Sequence, residues 1–458
     1  MLTRMLAKLA ALSVLAFVLV CGYALYLQPG WESWRDDQRQ YVLLARGLAV
    51  RGEFTRAPAG DPFVPEPLRT PGYPLLLAPL CATVGCDHWQ IAAAQAVAAA
   101  GLPFLAYLLA RRWGRRIAFA SAAACTVYLP FAYYGALALP EFAGTVLMLL
   151  GLVLASRART IPAAVAAGAV FGYLGLTRPQ FVLIAIAAAL AVMLARDGAR
   201  LRDRLAPASA LLIAAVLMFV PFNIYSLTYF GGPFASSSGT GLWWGYFQGR
   251  GGDQAKVDEF RQLALAGATD ERIEASGASI GLDPLESREA ASTTRELATF
   301  DAITDRTAQA YAWIDLNRSL TRHAVTLIVH DPAGYVVRGL TVRTIELWTG
   351  ELPIRIDDFH QLPPLLLALS LTAQLVLFGA GVAGAVLLTV RREREGLLIA
   401  AAIFYTWFLF IVFVTEPRYS LPARSALLVA AVYAIAMYAS RRRRATQKAP
   451  AAIGVTAS

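Results

Sequence analysis

Two places in the sequence put acids directly beside long apolar segments. Asp36 and Asp37 follow the first apolar run, and Glu141 follows Pro140 at the start of a later one. A carboxylate in such a position can act as a general base on an acceptor hydroxyl. Charges near lipid are costly, so these acids indicate a function. Two alternatives stay open, namely a solvated acidic pair and, for Glu141, a charge that stabilises a helix N-terminus.

Two arginines lie in loops where proline interrupts a helix. Arg69 begins the stretch Arg69–Pro74, and Arg418 lies within Glu416–Pro422. Proline and glycine in these stretches break helices and set turns. A guanidinium matches the geometry of a phosphate group, so either arginine is a candidate phosphate ligand. The alternatives are contacts with lipid headgroups and, for Arg69, a purely structural loop.

Several common kinds of site have no support in the sequence. The chain has 4 histidines and 4 cysteines, and none of their spacings fits a zinc site. No phosphate-binding glycine pattern and no nucleophile-elbow sequence is present. We therefore expect no cofactor, no metal site and no ATP-driven pump. The cysteines do not make a disulfide framework, although Cys81 and Cys86 fall in one predicted loop and can pair.

The elements that must position these residues are membrane-spanning helices. The chain has 458 residues, of which 57% are hydrophobic and 16% are charged, whereas soluble domains carry about a quarter charged residues. Its apolar blocks approach or exceed the length that crosses a hydrocarbon core of about 30 Å. Backbone groups in lipid must be satisfied within a segment, which requires helices. We predict an all-α polytopic membrane protein with about ten transmembrane helices.

The net charge of +10 is concentrated at the ends of the apolar blocks. The clusters are Arg111–Arg116, Arg157 with Arg159, Arg196–Arg204, Arg391–Arg394 and Arg441–Arg444. Cytoplasmic loops have this pattern, so we expect an inner (plasma) membrane protein with both termini in the cytoplasm. Nucleic acid is not an expected partner. The predicted spans are 5–27, 88–110, 117–137, 141–156, 160–177, 180–196, 207–227, 364–390, 397–414 and 421–440.

The apolar segment 71–85 is predicted to be re-entrant or interfacial. It is short and contains Pro71, Pro74 and Pro79, which disfavours a full span. A full span would also place the cluster Arg111–Arg116 outside the cytoplasm.

Four regions follow from this topology. Residues 1–227 form an N-terminal transmembrane module with a first outer loop at 28–87, and residues 228–362 form an extracytoplasmic loop with a small helical cap. Residues 363–444 form the C-terminal transmembrane helices, and 445–458 form a disordered cytoplasmic tail. An aromatic belt is predicted at the outer boundary. Its members are Trp31, Trp34, Trp89, Tyr133, Tyr134, Trp243 and Trp244.

Short motifs along nearly the whole chain carry a family resemblance. They are Asp37, Tyr41 and Ala45; Arg69–Pro74; Arg111–Arg116; Glu141; Thr177, Arg178 and Pro179; His330, Asp331, Pro332, Tyr335, Arg343 and Trp348; and Arg418, Tyr419 and Pro422. In this order the chain resembles the membrane-embedded glycosyltransferases of the GT-C class. Specifically, it resembles the bacterial relatives of protein O-mannosyltransferases and of the lipid A aminoarabinose transferase (glycosyltransferase family 39-like). One departure is Tyr225-Ser226, where the family often has Arg-Asn.

The resemblance implies transfer of a sugar from a polyprenyl phosphate to an extracytoplasmic acceptor. The acceptor would be a lipopolysaccharide or other lipid, a cell-wall glycan or a protein. Asp37 would be the catalytic base and Glu141 would organise the site, both as catalytic residues. Substrate binding would fall to Arg69, Tyr73, Arg178, Arg418 and Tyr419, with Arg418 on the donor phosphate.

A monophosphate leaving group reduces the need for a metal, so we expect none to be obligatory. Attack opposite the phosphate would invert the anomeric centre. The main alternative is a transporter or flippase of lipid-linked sugars, which would need polar residues at the bilayer midplane. A polysaccharide polymerase or ligase is a second alternative.

Overall fold

The computed structural model describes residues 2–27, 36–196, 200–232, 237–250, 252–350, 352–354, 358 and 362–448. These residues form helices joined by loops, and no strand occurs among them. The predicted fold class is therefore confirmed. Trp31 and Trp34 of the predicted aromatic belt lie outside the described residues.

The first half of the chain contains eleven helices among the described residues. They are α1 (Leu2–Leu27), α2 (Asp36–Arg51), α3 (Gly72–Thr83), α4 (His88–Ala99), α5 (Leu102–Ala110), α6 (Arg115–Val127), α7 (Leu129–Gly135), α8 (Pro140–Ser156), α9 (Ile161–Thr177), α10 (Ile184–Leu194) and α11 (Leu201–Phe230). Pro103, Pro130, Pro140 and Pro162 each lie in the first turn of a helix, where the missing N–H costs no hydrogen bond.

The second half of the chain contains ten described helices, of which the first seven form the predicted cap and the last three are membrane helices. They are α12 (Ser238–Phe247), α13 (Gln254–Leu265), α14 (Asp270–Ser279), α15 (Pro284–Asp301), α16 (Arg306–His330), α17 (Pro332–Arg338), α18 (Thr344–Thr349), α19 (Pro364–Arg391), α20 (Arg394–Val412) and α21 (Leu421–Lys448). A π-helical segment, Gly339–Arg343, joins α17 to α18. The last helix continues to Lys448, and residues 449–458 lie outside the described part of the chain.

Six described helices are long and apolar enough to cross a membrane. They are Thr3–Leu27, His88–Trp113, Leu201–Phe230, Pro364–Arg391, Arg394–Val412 and Pro417–Arg443. The pair α6 and α7, bent by 49°, adds a seventh if it is one span. Shorter apolar helices, Pro140–Ser156, Ile161–Thr177 and Pro179–Leu194, stand where the other three spans were predicted. The multi-pass membrane architecture is established, while the count of ten spans stays a prediction.

Helix α3 covers most of the segment predicted to be re-entrant. It has 12 residues, and a helix of that length is about 18 Å long, too short for a hydrocarbon core of about 30 Å. Its first residue, Gly72, lies against the backbone of Leu176 and Thr177, where a Cβ atom would clash. The Tyr173 hydroxyl also donates to the Gly72 carbonyl at 2.8 Å. The start of α3 is thus fixed against the end of α9.

Three of the loops predicted to be cytoplasmic lie against one another at one end of the bundle. Arg112 lies 3.4 Å from Glu393, and the Trp113 indole donates to the same carboxylate at 2.7 Å. The backbone N–H of Arg196 donates to the carbonyl of Arg392 at 2.8 Å. Three of the loops predicted to be outside meet where Arg418 contacts Asp37 and Glu141. The topology, and the side of the membrane on which each end lies, remain predictions from length and charge.

Small residues set the closest helix contacts in the membrane bundle. A Cβ atom at Gly172 of α9 would lie 2.6 Å from the carbonyl oxygen of Ala215 in α11. Gly384 of α19 similarly lies against the backbone of Ala430 in α21. Small residues allow such helices to approach closely in lipid, where packing supplies most of the association energy.

Candidate active site

Five of the predicted site residues converge at the end of the bundle opposite the arginine-rich loops. Asp37 lies in the first turn of α2, Arg69 lies just before α3, and Glu141 lies in the first turn of α8. Arg178 directly follows α9, and Arg418 lies in the 3₁₀ turn Pro417–Ser420 between α20 and α21. Residues that are far apart in sequence therefore meet because their helices start or end at the same level.

Asp37 lies between two arginines. One carboxylate oxygen contacts Arg69 Nη2, and the other accepts from Arg418 Nη2 at 3.1 Å. Burial favours the neutral acid, but the positive charges of Arg69 and Arg418 outweigh it and lower the pKa of Asp37 below its ordinary value. Asp37 is therefore a carboxylate at neutral pH.

Glu141 is fully buried beside a second arginine. Its Oε1 lies 3.0 Å from Arg178 Nη1 and 3.6 Å from Arg418 Nε. It lies at the N-terminus of α8, where the helix dipole attracts an acidic side chain. The side-chain amide of Gln180 is oriented so that its oxygen faces Arg178. This oxygen accepts hydrogen bonds from Arg178 Nε at 2.8 Å and Nη2 at 2.6 Å. Arg178 is thus held by Glu141 and by Gln180.

Arg418 links the two acids to a third one. Its Nε lies 2.5 Å from Glu416 Oε2, in addition to its contacts with Asp37 and Glu141. An arginine side chain stays protonated in proteins, so this guanidinium is permanently charged. Three acids and three arginines balance within this cluster, which comprises Asp37, Glu141, Glu416, Arg69, Arg178 and Arg418.

Two tyrosine rings lie beneath the arginines. The Tyr419 ring centroid is 5.0 Å from the guanidinium carbon of Arg178 and 5.6 Å from that of Arg418. The Tyr41 ring lies 5.1 Å from that of Arg69. Such cation–π contacts restrict the positions of the guanidinium groups. Tyr73 packs edge-on against Tyr41 at 5.4 Å and is fully buried, so it supports the site from behind.

The loop that carries Arg69 is organised by a buried acid, Glu66, that the sequence motifs did not mark. Glu66 Oε1 accepts from the backbone N–H groups of Leu68 at 2.9 Å and Arg69 at 3.0 Å. Its other oxygen lies 2.5 Å from Arg56 Nε. Arg69 Nε in turn donates to Gln40 Oε1 at 2.9 Å. A glutamate three residues before an arginine, in a proline-rich loop, was the available signal.

Glu416 is the second contributor to which the sequence motifs assigned no role. It lies within the predicted loop around Arg418, and Tyr419 Oη donates to its Oε1 at 2.9 Å. Its closeness to Arg418 in sequence was the signal, but nothing in the spacing showed that both side chains face the same point.

The described residues include no group of three or more His, Cys, Asp or Glu side chains suited to hold a metal ion. Metal independence stays a prediction. The structure also pairs Cys81 with Cys86, with Cα atoms 4.5 Å apart, and leaves Cys21 and Cys125 as free thiols.

An apolar cavity of about 580 Å³ lies between α10 and α20. Its lining is almost entirely aliphatic and aromatic, and it extends from Leu194 and Leu397 to Phe413. Tyr405 lines it and donates to the Gln180 carbonyl at 2.6 Å. Because Gln180 also contacts Arg178, one part of the cavity lies close to the charged cluster.

The chain is similar to known proteins in sequence and in fold. Residues 67–225, that is 159 of the 458 residues, match the family described as dolichyl-phosphate-mannose-protein mannosyltransferase. The structure is similar to that of the oligosaccharyltransferase AglB from Archaeoglobus fulgidus in complex with an inhibitory peptide and a dolichol-phosphate. The TM-score is 0.51 at 15% identity, over 99% of this chain and 52% of that one. The fold is that of the GT-C glycosyltransferases.

Two further solved structures are similar to the chain. The apo form of the Archaeoglobus fulgidus oligosaccharyltransferase matches with a TM-score of 0.51 and 15% identity, over 97% of this chain and 52% of that one. ArnT from Cupriavidus metallidurans bound to undecaprenyl phosphate matches with a TM-score of only 0.37 and 14% identity, over 94% and 76% of the two chains. No curated protein sequence matches the chain. The chain spans about half the length of the AglB structures. The family match and the AglB fold confirm the resemblance to the GT-C class.

Proposed function

We propose that this GT-C chain transfers a sugar from a polyprenyl-phosphate donor to an acceptor hydroxyl outside the cytoplasm. The observation that carries the proposal is the position of Asp37 between Arg69 and Arg418. One carboxylate and two guanidinium groups are what such a transfer needs. The match to a dolichyl-phosphate-mannose-dependent family supports the donor class. The dolichol-phosphate in the AglB complex supports it as well.

Arg418 and Arg69 bind the donor phosphate in this proposal. Both face Asp37, and Arg418 is about one-fifth exposed. An incoming phosphate competes with the acids of the cluster for these guanidinium groups, whose planar donors match phosphate geometry. Arg178 does not bind the phosphate in this proposal, because its guanidinium donors already bind Glu141 and Gln180. It keeps Glu141 in place.

Asp37 is the general base. When the phosphate engages the two arginines, their positive charge is shared with it and the pKa of Asp37 rises toward its ordinary value. The acceptor O–H gives its proton to Asp37, and the acceptor oxygen attacks C1 of the sugar from the face opposite the phosphate. The bond between C1 and the phosphate oxygen breaks, and the electron pair leaves with the phosphate. Arg418 stabilises the departing charge, and the anomeric centre inverts.

Glu141 acts on the reaction through Arg418. Because it is fully buried, an acceptor cannot reach it directly. Its Oε1 faces both Arg178 and Arg418, so it orients Arg418, the residue that binds the phosphate. Its role is that of a positioning residue.

The prenyl tail of the donor lies in the apolar cavity between α10 and α20. This assignment rests on the aliphatic and aromatic lining of the cavity and on its closeness to Gln180 and Arg178. A tail placed there leaves the phosphate near the charged cluster. Membrane lipids are then competing occupants of the same cavity.

Transfer can be tested with purified protein in lipid nanodiscs. A panel of polyprenyl-phosphate hexoses and pentoses is offered with cell-envelope acceptors, and release of the unglycosylated polyprenyl phosphate is measured. Asp37→Asn should slow release at least about a hundredfold, whereas the control Asp87→Asn, in the same outer region but beside Arg46, should not. Movement of intact donor across a vesicle membrane, without release, would instead support the flippase alternative. Mass analysis of envelope glycans with and without the protein would name the acceptor.

A further inference from the structure

The turn that carries Arg418 is held by the cap as well as by the membrane helices. Helix α12 of the cap lies against the end of α20, where the N–H of Val414 donates to the carbonyl of Gly241 at 2.8 Å. A Cβ atom at Gly245 would lie 2.7 Å from the Val414 nitrogen. Only a glycine allows so close an approach of the two backbones, so the cap and residues 413–415 form one packed unit.

Gln248, the residue that follows α12, binds both backbone groups of Thr415. Its Oε1 accepts from the Thr415 N–H at 2.7 Å, and its Nε2 donates to the Thr415 carbonyl at 2.6 Å. The same Nε2 donates to Glu346 Oε2 at 2.7 Å. Only a side-chain amide can accept and donate in this way without carrying a charge. Thr415 is buried, so losing these partners would leave its backbone groups unsatisfied.

The far end of the same turn is held by the neighbouring residue of α18. Ser420 Oγ donates to the carbonyl of Leu347 at 2.8 Å, and Leu347 directly follows Glu346. The four-residue turn Pro417–Ser420 therefore lies between two attachments, Thr415 on one side and Ser420 on the other. Arg418 stands between them.

We propose that Gln248 is a positioning residue for the donor phosphate, acting through Arg418. This inference rests on the proposed function, because it assumes that Arg418 binds the phosphate. It makes the cap a part of the donor site. A displacement of about 1 Å in a positioning contact can change a rate by roughly a hundredfold. The turn is short, so a loosened Thr415 shifts Arg418 directly.

The test measures binding of undecaprenyl phosphate, without sugar, to the full chain in nanodiscs. Gln248→Ala should raise Kd about tenfold, which corresponds to about 1.4 kcal/mol. The matched control is Gln254→Ala in α13, an exposed cap glutamine whose side chain donates to Asp258 at 3.1 Å. This control should keep the wild-type Kd.

A double variant separates positioning from general damage to the cap. If Gln248 acts through Arg418, then Gln248→Ala combined with Arg418→Ala should bind no more weakly than Arg418→Ala alone. Effects that add in full would show that the two residues act independently and would overturn the inference. A Gln248→Ala protein with wild-type Kd would overturn it too. An unchanged Kd in Arg418→Ala alone would reject the donor site itself, and the inference with it.

A second pair of variants keeps the test valid if Gln248→Ala does not fold. Gln248→Glu keeps the volume but loses the amide donor and places a carboxylate beside Glu346. Adding Glu346→Gln restores a donor–acceptor pair between positions 248 and 346 but not the donor to the Thr415 carbonyl, so the Kd should return only part of the way to wild type. Equal Kd values for the single and double variants would contradict the proposed contact.

Discussion

Replacement of Arg418 separates catalysis from folding more cleanly than any other change in the cluster. Arg418 contacts Asp37 at 3.1 Å, Glu141 at 3.6 Å and Glu416 at 2.5 Å. Each acid keeps another partner after Arg418→Ala. Asp37 keeps Arg69, Glu141 keeps Arg178 at 3.0 Å, and Glu416 keeps the Tyr419 hydroxyl at 2.9 Å.

The magnitudes of the two effects follow from these contacts. Removal of one partner of a buried ion pair costs about 3–5 kcal/mol when the other charge is left alone. Here none of the three acids is left alone, so the free energy of unfolding should fall by only about 1–2 kcal/mol. The loss of one charged donor to a departing oxyanion costs roughly 10²–10³-fold in kcat, or about 3–4 kcal/mol. Arg418→Ala should therefore raise the activation free energy of transfer by more than it lowers the free energy of unfolding.

The assay compares Arg418→Ala and Arg418→Lys in nanodiscs with a polyprenyl-phosphate sugar as donor. We expect Arg418→Lys to recover part of kcat, because it restores charge without the planar pair of donors. Thermal unfolding of the same samples checks the fold. An Arg418→Ala protein that unfolds at the wild-type temperature and turns over donor at the wild-type rate would refute the phosphate assignment. A large loss of stability with unchanged kcat per folded molecule would refute the claim that each of the three acids keeps a sufficient partner without Arg418.

Other changes test the remaining parts of the cluster. Asp37→Asn should lower kcat by roughly 10²–10⁴-fold while membrane insertion is unchanged, and near-normal turnover would remove Asp37 from the base role. Because its arginines lower the pKa of Asp37, the acidic limb of kcat/KM should lie below the ordinary value of about 3.9. Arg69→Gln should move that limb to higher pH, and an unmoved limb would contradict the assignment. Arg178→Ala should destabilise the fold by about 1.5–3 kcal/mol, measured by thermal unfolding, because the fully buried Glu141 loses its closest cation but keeps Arg418 at 3.6 Å; equal stability would refute this. A fusion reporter after Gly85 should report an extracytoplasmic location, and a cytoplasmic signal would overturn the topology.

The helical membrane architecture could be predicted from the sequence because few backbone conformations are stable in lipid. Apolar blocks in a membrane must be helices, and arginine clusters mark one face. The same rules predicted that 71–85 is too short to span, and α3 has 12 residues. Helices of only 17 residues, such as α8 and α9, are at the lower limit of a span. Length alone therefore does not settle the number of spans.

The partners within the site were less accessible. Sequence placed Asp37, Glu141 and Arg418 at predicted outer loops, and they do meet. Which acid faces which arginine depends on how each helix is rotated about its axis. The apolar pattern does not predict that rotation, because most faces of these helices are apolar. Gln248 had no signal at all, since its partners are backbone groups of a distant loop.

The balance of charge in the cluster has a consequence for the order of events. Without donor, both arginines that face Asp37 hold it as a weakly basic carboxylate. In the proposed mechanism, a donor phosphate that binds these arginines shares their positive charge, so Asp37 becomes a stronger base only after the leaving group is in place. An acceptor that arrives first therefore meets a carboxylate already occupied by two guanidinium groups. In the proposed mechanism, binding of the donor and activation of Asp37 are therefore the same electrostatic event, and that mechanism requires no separate residue to activate the base.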